Sequence, residues 1–194
     1  MKKWLCEWLF FKVWGWKIPK FYPDNVPQSV VVVFHHTSNW DFPIGILIRP
    51  IMNCYINFVG KSSLFWFPLG NLMRWWGGYP VERSKNHNYV EAVANIYKIA
   101  PVFRLCVTPE GTRGKVEKLK TGFYYIAQTA QVPIVMCSFD WSRKEVKFSD
   151  PFMTTNDYNR DIPQILAYFD GIKGKFPEKD FDIKKYLSEL NSEN

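Results

Sequence analysis

The chain reads as an α/β domain with a largely parallel mixed sheet flanked by helices, on three observations. Short apolar, β-branched runs alternate with segments of helical spacing, the order that feeds parallel strands through helical crossovers. Polar clusters stand directly after several of those runs, where open α/β sheets place their chemistry. The 194 residues are enough for one domain with a sizeable core.

Residues 1–17 (Met-Lys-Lys-Trp-Leu-Cys-Glu-Trp-Leu-Phe-Phe-Lys-Val-Trp-Gly-Trp-Lys) are read first as a helix. Glu7 and Lys12 interrupt the apolar run and no small-residue cleavage site follows, which argues against a signal peptide. The charge-free stretch is well short of the roughly 20 residues that span a bilayer. On a helix, Lys2, Lys3, Glu7 and Lys17 gather on one side; Trp4, Leu5, Trp8, Leu9, Phe11 and Trp16 form a broad opposite face. That is the make-up of an amphipathic membrane-interface helix, and this reading is preferred to a helix packed on the protein's own core. It divides the chain into an N-terminal interfacial helix, 1–20, and an α/β domain, 21–194.

Ile18 to Ser29, with Pro19, Pro23 and Pro27, is expected to be an extended connector. Val30 to Phe34 is a buried strand, Phe42 to Met52 a helix ending near Pro50, and Cys54 to Val59 a second strand. Ser62 to Trp76 is an apolar helical stretch bent at Pro68-Leu69-Gly70, and Tyr79 to Glu82 a short strand. Asn86 to Ala100 has helical spacing through Val90, Val93, Ala94 and Tyr97 and stops before Pro101. Phe103 to Val107 is a strand, Thr121 to Ala130 a helix and Val132 to Ser138 a strand. Glu145 to Phe148 adds an antiparallel strand, and Asp161 to Phe169 and Asp182 to Leu190 are surface helices.

Twenty-five Lys and Arg against 18 Asp and Glu leave a net charge of +7, which favours an anionic partner. Nine Trp and 16 Phe point to an aromatic core or a surface that meets lipid. A nucleic-acid groove would interleave cations with aromatics. Here the aromatics concentrate at residues 4–16 and 65–76, so no nucleic-acid partner is expected. Cys6, Cys54, Cys106 and Cys137 form no CxxC pair and read as free thiols of a reducing cytoplasm. No histidine–cysteine cluster has zinc spacing, so no metal is expected.

The chemistry starts at His35-His36-Thr37-Ser38-Asn39-Trp40-Asp41, after the Val30 strand. A helix beginning there lets Asp41 turn back onto one nitrogen of His36, leaving the other basic and free to take a proton from a hydroxyl. Gly77-Gly78-Tyr79-Pro80-Val81-Glu82-Arg83 ends a strand with an arginine. In Thr108-Pro109-Glu110-Gly111-Thr112-Arg113, Gly111 permits a tight turn and Arg113 can grip an anion bidentately. Lys120-Thr121-Gly122 opens a helix, where a lysine and backbone N–H groups favour phosphate, and Val132-Pro133-Ile134-Val135 supplies an apolar wall.

Taken in order, His36-x4-Asp41, Gly78 to Arg83, Pro109 to Arg113 and Val132 to Val135 resemble the four blocks of the glycerolipid acyltransferases, the lysophosphatidic acid acyltransferase superfamily. His35 stands where many members have Asn, and Pro80 and Thr108 where Phe is common; the His–Asp pair is untouched. The resemblance implies a membrane-surface O-acyltransferase that moves an acyl group from acyl-CoA or acyl-carrier protein to a lysophospholipid. The most favoured acceptor is 1-acylglycerol-3-phosphate, giving phosphatidate, without an acyl-enzyme and without a cofactor beyond the acyl co-substrate. His36 would be the general base and Asp41 its orienting partner. Arg83 and Arg113, with Lys120 as a weaker candidate, would bind the acceptor's phosphate, and Glu110, Gly111 and Thr112 would shape the pocket beside it. The implied location is the cytoplasmic face of the cell membrane, on an anionic surface. A lyso-aminolipid acceptor, an acyl thioesterase and a non-catalytic lipid-binding protein are the alternatives.

Overall fold

The computed structural model describes residues 2–81 and 89–192. At its centre lies β2 (Gln28–Phe34), whose four consecutive valines and phenylalanine are buried on both faces, as a parallel central strand requires. Two parallel strands flank it: β5 (Phe103–Val107), with Val30 opposite Leu105, and β6 (Ile134–Asp140), with Val30 opposite Ile134. β7 (Glu145–Phe148) turns back antiparallel on β6, as expected for that segment. β1 (Lys17–Lys20) runs parallel to β7 at the far edge, completing the order β1-β7-β6-β2-β5. The sheet is mixed and largely parallel, the architecture the sequence predicts.

Several elements differ from the local reading. Lys17 to Lys20 is an edge strand rather than part of a connector, because an edge tolerates Pro19. Strand pairing after α2 (Asp41–Met52) does not begin at Cys54: Asn57 bridges Leu105, and β3 (Phe58–Lys61) pairs in parallel with β4 (Gly78–Val81) as a separate two-stranded sheet. Between β3 and β4 the apolar stretch is no continuous helix. A 3-10 turn at Ser62–Leu64 and a short α3 (Leu69–Trp75) are separated around Pro68, which cannot donate to a helical ladder. The strand end at Glu82 and the helix start at Asn86 lie outside the described residues; α4 (Tyr89–Ile99) is described from Tyr89.

The N-terminal helix α1 (Lys3–Glu7) runs on as a π-helical turn, Trp8–Val13. It packs inward: Cys6 and Phe10 are fully buried and join Trp16 in the core beside α2. Trp4, Trp8 and Val13 are left exposed. Residues 3–20 thus contribute both core side chains and a strand to the same body as the rest of the chain.

Alternation along the strands sends side chains to opposite faces. Val30, Val32, Phe34, Ile134 and Met136 enter one core with α4, α5 (Gly122–Ala130) and α6 (Tyr158–Ala167), against which α7 (Ile183–Ser192) also packs. Val31, Val33, Val135, Cys137 and Phe139 face α1 and α2. The buried Asp161 ties α6 to the first core by accepting from the Tyr124 hydroxyl at 2.8 Å and from Thr155 N–H and Oγ1 at 2.7 Å.

Candidate active site

The turn from β2 into α2 is held at almost every polar position. His35 stacks on Phe34 at 4.5 Å, and its Nδ1 accepts the Phe181 N–H at 3.2 Å. That nitrogen therefore has no proton to give, and the approach of Glu110 Oε1 to 3.6 Å is not an ion pair. The His36 N–H donates to Glu110 Oε2 at 2.8 Å, and Thr37 Oγ1 accepts the Phe176 N–H at 3.1 Å. Ser38 Oγ accepts from the Trp40 N–H, which closes the turn into the helix.

Asp41 is the first residue of α2, where the helix N-terminus favours a negative charge. It is buried, and its Oδ2 lies 2.8 Å from His36 Nδ1 and accepts the Ser38 N–H at 3.2 Å. The other oxygen, Oδ1, accepts the indole N–H of Trp141 at 2.8 Å. With Nδ1 engaged, Nε2 is the nitrogen of the His36 ring left to the adjoining cavity.

That cavity has a volume of about 570 Å3 and lies between α2 and the sheet face of Val31, Val33, Cys137 and Phe139. His36, Asp41, Thr108 and Arg113 line its polar part; Phe42, Ile46, Ile48, Ile56 and Phe58 make it mainly apolar. Gly45 helps to keep it open: a Cβ there would meet only Phe139, at 4.0 Å. Burial pushes the Cys106 thiol up to about 11 and raises Cys137 well above its usual range, so both lining thiols stay protonated near neutrality.

Of the residues singled out in the sequence, His36, Asp41 and Arg113 meet at this cavity. Glu110 is buried and holds the His36 backbone. Gly111 takes a left-handed φ of 64° in the turn closed by its N–H to Thr108, with the Lys120 side chain packed against it. Thr112 Oγ1 accepts the Gly114 N–H at 3.3 Å. Lys120 donates its backbone N–H to Pro109 at 2.8 Å, and its side chain is not part of the cavity wall. Arg83 lies outside the described residues.

Two lining or supporting residues escape the sequence reading. Arg49 in α2 reaches the cavity, with its guanidinium on the carbonyls of Trp76 and Ile56 and 5.2 Å from the Tyr55 ring centroid. Desolvation lowers its pKa. Trp141 follows β6, 100 positions beyond Asp41, and no local pattern joins the two.

A buried carboxylate in contact with a histidine at the carboxyl end of a central strand, above a mainly apolar cavity, is an arrangement whose chemistry allows proton transfer from a hydroxyl. The comparisons with known proteins place the family and the fold. The family model described as Acyltransferase matches residues 19–140, and the chain belongs to that family, in keeping with its resemblance to the glycerolipid acyltransferases. It is 27% identical over 199 residues to a 1-acyl-sn-glycerol-3-phosphate acyltransferase of Haemophilus influenzae, an alignment covering 90% of this chain and 80% of that one. It is 30% identical over 135 residues to the Mus musculus 1-acyl-sn-glycerol-3-phosphate acyltransferase alpha, covering 64% of this chain and 46% of the mouse protein. The crystal structure of the 1-acyl-sn-glycerophosphate (LPA) acyltransferase PlsC from Thermotoga maritima shares the fold. Its TM-score is 0.58 at 20% identity, over 98% of this chain and 76% of that one.

Proposed function

We propose that this protein acylates the free hydroxyl of 1-acylglycerol-3-phosphate to form phosphatidate. One observation carries the reading: the 2.8 Å His36–Asp41 contact stands at the polar end of an apolar cavity large enough for a fatty chain. The names of the Haemophilus influenzae and Mus musculus relatives supply the acceptor.

His36 Nε2 removes the hydroxyl proton as the oxygen attacks the thioester carbonyl, and Asp41 steadies the imidazolium that forms. The tetrahedral adduct collapses to the ester. The departing thiolate takes the proton back from His36, so the histidine is regenerated and no acyl-enzyme arises. The thioester is acyl-CoA or acyl-carrier protein, with no other cofactor. Arg113 at the cavity's polar end binds the acceptor's phosphate, with Arg83 and, more weakly, Lys120 as further phosphate ligands, and the Lys120 side chain packs against the Gly111 turn. The apolar lining takes the acyl chain.

The reaction takes place at a membrane surface. Trp4 on α1, Trp8 on the π-helical turn after it, and Trp66, Phe67 and Trp75 around α3 are exposed, and these elements lie against or beside α2. Aromatics at headgroup depth and the chain's positive charge suit an anionic leaflet on its cytoplasmic side. Among the described residues no helix is long and apolar enough to cross a membrane.

The deciding assay follows thiol release from long-chain acyl-CoA, and in parallel from acyl-carrier protein, on vesicles with and without lysophosphatidate. Release that needs lysophosphatidate, yields phosphatidate and disappears in His36→Ala is expected. Acceptor-independent release would instead identify a thioesterase.

A further inference from the structure

We propose that the indole N–H of Trp141 is a positioning group for the reaction: it fixes the carboxylate of Asp41 so that Oδ2 is held against His36. The inference rests on the reading of His36 as general base. A carboxylate on a single bond can swing either oxygen toward its partner. Here Oδ2 takes the His36 Nδ1 contact and the Ser38 N–H, while Oδ1 takes Trp141 Nε1 at 2.8 Å. Three contacts on one buried carboxylate leave it a single orientation, and without the indole Oδ1 would lose its bond from Trp141.

Trp141 is itself built in. It directly follows β6, and its backbone N–H donates to the Lys173 carbonyl at 2.9 Å. The next turn is tied by Asp140, whose Oδ1 accepts from Ser142 N–H, Ser142 Oγ and Arg143 N–H, and whose Oδ2 pairs with Arg143 Nε at 2.8 Å. The Trp16 ring meets the indole edge-on at 5.0 Å, and the Lys175 ammonium sits 4.7 Å from its centroid. A cation over the ring draws on its π density and makes the N–H a better donor. A ring that merely filled space would need none of this aim. The segment lies just beyond the residues that match the family.

The test compares Trp141→Phe, which keeps a ring and removes the donor, with Trp141→His, whose Nε2 occupies the position of the indole nitrogen. In Trp141→Phe, kcat is expected to fall about 10–100-fold. KM for donor and acceptor should stay within about twofold, since the pair is altered and the substrate contacts are not. Trp141→His should recover most of the loss. Wild-type kcat in a folded Trp141→Phe protein overturns the proposal. So do equal losses in both variants, which would mark a packing role. Should the Phe variant fail to fold, the indole 15N–1H resonance of Trp141 in the full chain decides. Movement in Asp41→Ala to the position of an unbonded indole supports the contact; an unmoved resonance overturns it. His36→Ala, assayed alongside, separates the two claims: wild-type turnover there would refute the general-base reading itself.

Discussion

The two faces of the central sheet are made of neighbouring residues and end in opposite states. Val30, Val32 and Phe34 point into a core closed by α4, α5 and α6, while Val31 and Val33, one position along, line the cavity beneath α2. A close-packed interior normally leaves few voids larger than a water molecule. A cavity of about 570 Å3 beneath α2 is therefore a property of the elements that cover that face rather than of the strands. α2 places Gly45 where a larger residue would fill the space. The same β-branched strand can thus serve stability on one side and a ligand on the other.

If that division holds, substitutions on the two faces should separate activity from stability. The largest effect is expected from His36→Ala, which should lower kcat about 10²–10⁴-fold, with only a modest fall in thermal stability, since its ring is partly exposed but its loss takes one partner from the buried Asp41 carboxylate. Ile165→Ala, on the closed face, should cost about 2–5 kcal/mol in chemical denaturation and leave kcat of the remaining folded protein near wild type. Comparable loss of turnover there would mean that the closed face also serves the reaction. Gly45→Leu should do the reverse: turnover with long acyl chains falls roughly tenfold or more relative to short ones, at unchanged or slightly raised stability. An unaltered chain preference would mean that the acyl group lies elsewhere. The smallest effect concerns the cavity thiols. With the Cys106 thiol pushed up to about 11, only about one molecule in 10³ is thiolate at pH 8. Alkylation of native protein should be slow, rise with pH, and become fast in denaturant, as read by mass spectrometry.

Much of this molecule is legible locally. The run Val30 to Phe34 declares a doubly buried strand, and His36 and Asp41 stand five apart across a strand-to-helix turn, a spacing that brings their side chains within hydrogen-bond reach. Other stretches are ambiguous for definite reasons. Apolar residues surround the N-terminal helix, so periodicity alone does not tell the face that buries Cys6 and Phe10 from the one that exposes Trp4 and Trp8. Cys54 and Ile56 are apolar because they are buried near α2, and a buried coil and a strand look alike over a few residues. Glu110, read as a residue beside the acceptor, turns its carboxylate to the His36 backbone, 74 positions away.

The α/β order, the central strand and the His–Asp pair are written in local sequence, because alternation and short spacings are set by backbone geometry within one or two turns. That a cavity opens beneath α2 came only from how that helix seats over the strands. The third contact on Asp41 likewise came only from tertiary structure, since Trp141 reaches it across 100 positions, a distance over which no local pattern constrains where a side chain goes.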